Sequence, residues 1–331
     1  MSERALRRIP LDKFFDLKVD FAFKQLFGSE KNKDITVVFL NAILKRTGRQ
    51  AIKEIAFSNL EVGGEYQDDK QSRLDILVKT QDNEFINVEV QLADQYDMVK
   101  RTLYYWSRVY NLQLKKGKGY HTLLPTIAIN ICNFSLFDQT KRFHNTFHLY
   151  EQEEQFRMDN MMEIHFIEMN KFIKLWYEKQ LDPLDDVLAR WLLLLGMVDA
   201  RKKKVYSEIY QRLEELAMDD KNLQDAFGVW QDLSRSWEEK LAYESRLKYI
   251  MDEGAKLDDA RYFAEKKGLQ KGLKEGLEQG IEQGLEKGKL LEKEETARRL
   301  YKLSLTVDQI AEATSLEQAV VERIIKELGS N

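Results

Sequence analysis

Arg73-Leu-Asp-Ile-Leu-Val-Lys-Thr80, Gln81-Asp-Asn-Glu84 and Phe85-Ile-Asn-Val-Glu-Val-Gln-Leu92 together predict a β-hairpin. Both flanks are rich in Ile, Val, Leu and Phe, whereas the link between them is polar and turn-prone, a combination typical of two antiparallel strands. If residues 81 to 83 form the loop, strand alternation places Asp75 opposite Glu89, with Cβ atoms about 4.5–5.5 Å apart.

Asp75 and Glu89 would then face each other among apolar neighbours. Two opposed carboxylates repel each other, and burial adds a desolvation cost. A divalent cation between the two groups removes that cost. The hairpin therefore predicts a metal site at Asp75 and Glu89.

Length and composition narrow the class of protein. The 331 residues can hold one large domain with an appendage or two domains, and 43% hydrophobic with 33% charged residues indicates a soluble protein with a sizeable core. Because the net charge is -4, a nucleic-acid partner would need a local basic patch. The single cysteine, Cys132, excludes an internal disulfide, and the N-terminus lacks the apolar run of a signal peptide. We therefore expect a cytoplasmic protein with no membrane span.

Two helices are expected before the hairpin. Residues 11–28 have an amphipathic pattern, and residues 35–44 form a second apolar run. Asp20 and Lys24 lie on one face of the first helix because they are four residues apart. They form either an ordinary surface ion pair or a face that looks into the metal site, and both interpretations stay open.

The hairpin is followed by a helix and further strands. Residues 97–114 predict a helix, 126–132 a central strand buried on both faces, and 146–150 and 164–169 two more strands. The helix carries basic and aromatic side chains that either pack on the sheet or contact a nucleic-acid backbone: Lys100, Arg101, Arg108, Tyr104, Tyr105 and Trp106. These elements predict an α/β fold with a mixed (α+β) sheet covered by helices.

From Pro183 onward the pattern is helical, with expected helices at about 184–196, 201–217 and 222–251. The basic cluster Arg201-Lys-Lys-Lys204 reads as a solvated turn or, alternatively, as a phosphate contact. Thr306 is a good N-cap for a short helix, and a second short helix over 317–328 completes a tail of helix-turn-helix size. Its mixed charge does not favour reading of a DNA groove.

An internal repeat precedes that tail. Glycine recurs at every fourth position: Gly268, Gly272, Gly276, Gly280, Gly284 and Gly288. Each glycine inside a helix costs about 1 kcal/mol relative to alanine, unless close approach of a partner offsets it. The segment is either a semi-helical linker or an oligomerisation helix. We expect four regions: 1–170, a sheet-containing core; 171–255, a helical extension; 256–296, the glycine repeat; and 297–331, the small tail.

Three blocks of sequence, taken in order, resemble a known family. They are Asp20-Phe-Ala-Phe-Lys-Gln-Leu-Phe-Gly28, Asp69-Lys-Gln-Ser-Arg-Leu-Asp-Ile-Leu77 and Asn87-Val-Glu-Val-Gln91. Asp75 with Glu89-Val90-Gln91 matches the D…E-x-K arrangement of the PD-(D/E)xK nuclease superfamily, with Gln in the third place. More narrowly, the chain resembles the recombination-promoting nuclease and putative transposase family.

The resemblance implies a restriction-endonuclease-like core that cleaves DNA with Mg²⁺ or Mn²⁺, in recombination or transposition. Asp75, Glu89 and the Val90 carbonyl would hold the metal, as suits a hard cation that prefers oxygen. Gln91 can orient water but cannot carry the charge of the usual Lys. Lys24 or Lys79 could supply that charge, and we place Asp20 with them as a candidate catalytic residue.

The sequence is also consistent with a second function. The Gln at position 91 and the acidic net charge also fit a catalytically weak or inactive nuclease fold that serves as an interaction protein. Such a protein would form homo-oligomers through residues 264–331. The four histidines, at 121, 144, 148 and 165, show no zinc-binding spacing.

Overall fold

The predicted hairpin lies within a six-stranded mixed sheet with the strand order β1-β2-β3-β4-β6-β5. The computed structural model describes residues 9–58, 74–94 and 97–329, with only the backbone of 328 and 329. The strands are β1 (Ile55–Phe57), β2 (Ile76–Thr80), β3 (Phe85–Gln91), β4 (Thr126–Cys132), β5 (His144–Phe147) and β6 (Met162–Glu168). The two parallel pairings, β3 with β4 and β4 with β6, form the centre, and the remaining pairings are antiparallel. The mixed α/β sheet is confirmed.

The register of the hairpin is the one expected from the sequence. Ile76 pairs with Val88, and Lys79 pairs with Phe85. The Thr80 N–H donates to the Glu84 carbonyl at 2.9 Å, which leaves residues 81 to 83 as the loop. Asn83 has a φ of 60°, the left-handed conformation that ends a three-residue hairpin turn. One residue beyond the Ile76–Val88 pair, this register sets Asp75 against Glu89.

The central strand β4 is buried along its whole length, as its apolar sequence predicts. It is joined to β3 by helix α3 (Met98–Leu112), so that β3, α3 and β4 form a βαβ unit. The strand expected over 146–150 is displaced: β5 begins two residues earlier, at His144, ends three residues earlier, at Phe147, and pairs with β6 at the edge of the sheet.

The expected helix over 11–28 is wrong in its first half. A single 3-10 turn at Leu11–Lys13 is followed by non-helical chain, and helix α1 covers only Asp20–Phe27. The Asp16 carboxylate accepts the Lys18 N–H at 2.9 Å, a local bond that competes with helical hydrogen bonding. Helix α2 spans Lys33–Leu44.

Helices dominate the rest of the chain. They are α4 (Met169–Tyr177), α5 (Val187–Gly196), α6 (Ser207–Leu216), α7 (Lys221–Arg235), α8 (Trp237–Lys302), α9 (Val307–Thr314) and α10 (Gln318–Gly329). A small hairpin of β7 (Val198–Asp199) and β8 (Lys204–Val205) separates α5 from α6. The basic cluster at 201–204 is therefore the turn and second strand of that hairpin, and the helix expected from 201 starts at Ser207.

One large apolar core joins the sheet to the helices around it. It contains side chains of α1, α2, the sheet and α5 to α7, with Trp191 and Trp230 as the largest fully buried members. The residues up to Leu257 form one compact unit, and Asp258–Asn331 form a second. The second unit has its own cluster around Ala297, Ile310 and Val321. The four-region division given by the sequence stays a prediction.

Across the ranges given above, none of the helices combines the length and the apolar character needed to cross a membrane.

Candidate active site

The hairpin brings two carboxylates together where β2 begins. The Asp75 N–H donates to Glu89 Oε1 at 3.2 Å, and the Val90 N–H donates to Asp75 Oδ2 at 3.0 Å. The Asp75 and Glu89 side chains are 6% and 2% exposed. The N–H and C=O of a strand residue point to the same side of the strand. The Val90 carbonyl therefore points to the side of β3 on which the Val90 N–H meets Asp75. The structure thus gathers the oxygens proposed as metal ligands.

Helix α1 adds a cation to this pair. Lys24 Nζ lies 3.0 Å from Asp75 Oδ1. Asp20, one turn earlier, is bound by Arg246 of α8, whose Nε donates to both carboxylate oxygens at 2.8 and 2.9 Å. Asp20 and Lys24 therefore each have a partner outside their own helix, and their shared face looks towards the carboxylates. The two side chains therefore do not form a simple surface ion pair with each other, and their role at a metal site stays a prediction.

Burial governs the ionisation of the pair. Desolvation raises the pKa of Asp75 above its usual range, although the nearby Lys24 ammonium acts in the opposite direction. Desolvation, with the negative charge of Asp75 as the next cause, raises the pKa of Glu89 to about 8. Arg101 of α3 lies 3.7 Å from Glu89 Oε2 and partly offsets this effect. A bound cation would favour the ionised form of both groups.

A cavity of about 150 Å³ adjoins the Asp75 carboxylate. Its lining includes Asp20, Asp75, Val90, Gln91, Arg101 and Arg246. Acidic oxygens thus lie beside arginine side chains in one recess. The recess has the mixed charge that a site for a metal and a phosphate group requires.

The donor set fits a hard divalent cation. Two carboxylates and one backbone carbonyl are all oxygen donors, and Mg²⁺ commonly binds one or two carboxylates while keeping water and substrate phosphates as its other ligands. Within residues 9–58, 74–94 and 97–329, no group of three or more His, Cys, Asp or Glu side chains is placed to hold a metal. Water or a phosphate oxygen would therefore complete the coordination.

The two lysines considered for the missing charge have different positions. Lys79 lies four residues along β2 from Asp75, about 13 Å away at strand spacing, with its ammonium 5.9 Å from the Phe85 ring centre. The structure does not bring it to the carboxylates. Gln91, the last residue of β3, lines the cavity beside them.

Two cations of this site were not identified as site residues from the sequence. The sequence places Arg101 on a basic and aromatic surface, and Arg246 carries no signal because it lies 226 residues after its partner Asp20. On that surface, Tyr105 is buried and the Trp106 indole N–H donates to the Thr126 carbonyl at 2.8 Å, so these aromatics mainly pack on the sheet.

The histidines form a separate cluster at the sheet edge. His165 lies 2.8 Å from His144 and 2.7 Å from Glu163, measured between ring nitrogen and polar atom. Burial is the main cause that lowers the pKa of His144 to about 3, and the neighbouring His165 lowers it further. These side chains bond to one another in series.

Comparison with known proteins adds one match. A family model described as PD-(D/E)XK nuclease family transposase matches residues 17–260, more than half of the chain. No curated protein and no solved structure shows significant similarity to this chain. The matched range includes every residue of the site described above.

Proposed function

The chain belongs to the PD-(D/E)XK nuclease family of transposases, and from this premise we propose that it is a metal-dependent DNA endonuclease that acts in recombination or transposition. The observation that carries the proposal is the buried pair of Asp75, before β2, and Glu89, in β3, beside a recess that Asp75 and Gln91 line. The proposal includes a cytoplasmic location, with which the buried thiol of Cys132 agrees.

Asp75, Glu89 and the Val90 carbonyl would hold Mg²⁺ or Mn²⁺. When bound, such an ion lowers the pKa of a water and neutralises the charge that develops on the scissile phosphate. The protein contributes the fixed positions of the oxygens, because the hairpin register and the Val90 N–H hold the Asp75 carboxylate in place. A bound cation would also lower the electrostatic cost of burying the two carboxylates together.

We assign the positive charge of the usual Lys to Lys24. Its ammonium already lies at 3.0 Å from Asp75, although it is supplied by α1 and not by β3. Gln91 retains the position of the family lysine and would orient the attacking water through its amide. Asp20 positions Arg246 at the recess, where the guanidinium can contact a phosphate.

The direct test is cleavage of supercoiled plasmid by wild type and Asp75→Asn, each with Mg²⁺ and with a chelator. We expect nicked or linear product only from wild type with metal. Asp82→Asn is the matched control, since it makes the same chemical change in the exposed turn of the same hairpin. Cleavage by folded Asp75→Asn at the wild-type rate would overturn the site, and cleavage that persists in chelator would overturn the metal.

A specific observation keeps the second function in view. The Asp75–Lys24 and Glu89–Arg101 ion pairs partly offset the cost of burying the carboxylates without any metal. If wild type neither cleaves DNA nor binds Mg²⁺ or Mn²⁺ by calorimetry, the pairs are structural and the protein is an inactive nuclease fold that acts through its interactions. Metal binding without cleavage would instead indicate a missing partner or DNA target.

A further inference from the structure

A row of large apolar side chains runs along the outside of α8. The α8 stripe consists of Leu269, Leu273, Leu277, Ile281 and Leu285, which are between 56% and 76% exposed. Five apolar residues at regular spacing are too many for scattered surface hydrophobics, and contiguous exposed apolar surface marks an interaction site. The stripe lies wholly in the second compact unit.

The glycine repeat adjoins this stripe, and packing within the chain does not explain it. A Cβ built on any of the six repeat glycines, at 268, 272, 276, 280, 284 and 288, would meet nothing within 4 Å among the described residues. Each costs about 1 kcal/mol of helix stability relative to alanine. Glycines that have no internal role, next to exposed leucines, indicate that another backbone approaches this face closely.

The charges along the stripe are arranged in two blocks. Residues 266–274 contain four lysines and no acidic residue, whereas residues 275–286 contain four glutamates and no basic residue. Ion pairs within the helix, such as Lys271–Glu275 at 3.6 Å, are exposed and contribute little. A partner that runs in the opposite direction would lay its lysine block beside the glutamate block of the first copy.

We infer that the α8 stripe binds the same segment of a second copy of this chain, in antiparallel orientation. In one register each large side chain faces a glycine: Leu269 faces Gly284, Leu273 faces Gly280 and Leu277 faces Gly276 of the partner copy, and the two-fold axis repeats these contacts. The same register sets Lys271 against Glu282 and Lys267 against Glu286. A period of four exceeds the 3.6 residues of a helical turn, so the pair winds with a right-handed twist.

A second copy fits this surface better than an unrelated partner does. A two-fold interface is self-complementary. The lysine and glutamate blocks lie on opposite sides of Gly276 and Leu277, where the two-fold axis would pass, so two copies can complement each other. A parallel pair would place lysine against lysine and glutamate against glutamate, which is repulsive. The inference does not depend on metal binding or on cleavage, and its failure would leave the proposed nuclease untouched.

Disulfide trapping in the full-length protein tests the orientation. Leu269→Cys alone and Gly284→Cys alone should not cross-link under mild oxidation, since like positions lie about 22 Å apart along antiparallel helices. An equimolar mixture of the two variants should yield a covalent dimer. Cross-linking of each variant with itself would show a parallel pair, and absence of any cross-link would overturn the interface. The natural Cys132 is buried and should not contribute.

Sedimentation velocity tests the chemistry of the surface. Wild type should be dimeric, and replacing all four lysines of residues 266–274 by glutamate should raise the dimer Kd at least about tenfold. Reversing both blocks together should restore the dimer. The triple variant Gly272→Ala, Gly276→Ala and Gly280→Ala should be a monomer of equal or higher helicity. Gly228→Ala is the control and should remain dimeric, because it adds a methyl group at a helical position with free space outside the repeat. A monomeric wild type, or a dimer unaffected by these changes, would refute the inference.

Discussion

Lys24 approaches Asp75 from α1, whereas the family pattern supplies its lysine from the strand that carries the glutamate. If the ammonium stabilises charge on the phosphate, Lys24→Gln should reduce kcat about 10²-fold, as removal of one such group does in other enzymes. KM should change little. Lys79→Gln, on the hairpin but away from the carboxylates, is the matched control and should stay within about twofold of wild type. Equal effects of the two variants in the plasmid assay would mean that Lys24 has no special role.

The proposed metal binding should depend on pH through Glu89. Its pKa of about 8 means that much of the carboxyl is protonated at neutral pH, and a metal must displace that proton. Mg²⁺ affinity, measured by calorimetry, should therefore rise between pH 6 and pH 8 and then level off. Proton release on binding, seen as a dependence of the heat on buffer ionisation, is the control. Affinity that is constant over this range would show that Glu89 is already ionised in the metal-free protein.

The same group affects stability in a defined direction. A pKa raised from 4.5 to about 8 on folding means that Glu89 contributes stability that is fully present below pH 4.5 and is lost as pH rises to 8. The Glu89→Gln side chain cannot ionise, so the variant should not lose stability over this pH range. The Tm of the variant relative to wild type, in chelator, should thus increase from pH 5 to pH 8. A difference in Tm that does not change with pH would contradict the assignment.

The carboxylate pair could be predicted from sequence because the hairpin is local. Alternation and a three-residue loop are enough to place Asp75 opposite Glu89. The cations were harder to place. Arg101 and Arg246 reach the site only through the packing of α3 and α8, which no short pattern records. For the missing positive charge, the sequence left two candidates, Lys24 and Lys79. It placed Lys24 on a face of the helix but could not show in which direction that face points.

At the scale of the element, the hairpin turn sets the geometry of the site. Asn83 has a left-handed backbone, which a β-branched residue adopts only with strain. Asn83→Val should lower the free energy of unfolding by about 1–2 kcal/mol in urea titration. Asp82→Val, in the same turn without a positive φ, should cost less, and Asn83→Gly should be tolerated. Equal losses in the two valine variants would show that the turn conformation is not the cause.

Strands were predicted more reliably than helix ends. Apolar content alone identified β4. A strand that is buried on both faces is a continuous apolar run and does not alternate between apolar and polar residues. The helix expected over 222–251 is instead α7 and α8, which meet at Ser236. The Ser236 Oγ accepts the Glu239 N–H at 3.4 Å, so Ser236-Trp-Glu-Glu239 was a helix-start signal that apolar periodicity concealed. Side-chain caps decided these boundaries.

At the scale of the whole molecule, a buried ion pair links distant parts of the first compact unit. The Asp16 and Lys18 side chains are 0% and 3% exposed and lie 2.8 Å apart. Lys18 also donates to the carbonyls of Leu195 and Val198, and Asp16 accepts the Ala200 N–H at 2.9 Å. The chain before α1 is thereby tied to the end of α5 and to the small β7–β8 hairpin.

This pair predicts the cooperativity of the first compact unit. Lys18→Met leaves the Asp16 carboxylate buried without its ammonium partner, which typically costs about 3–5 kcal/mol. Lys13→Met is the matched control, because the Lys13–Asp12 pair is 59% and 72% exposed and should contribute little. If residues up to Leu257 unfold as one unit, Lys18→Met shifts the urea midpoints of tryptophan fluorescence and far-ultraviolet circular dichroism together. Loss of only part of the signal at low urea would mean that the sheet and the helices around it unfold separately, because the shared apolar core would then be insufficient to couple them.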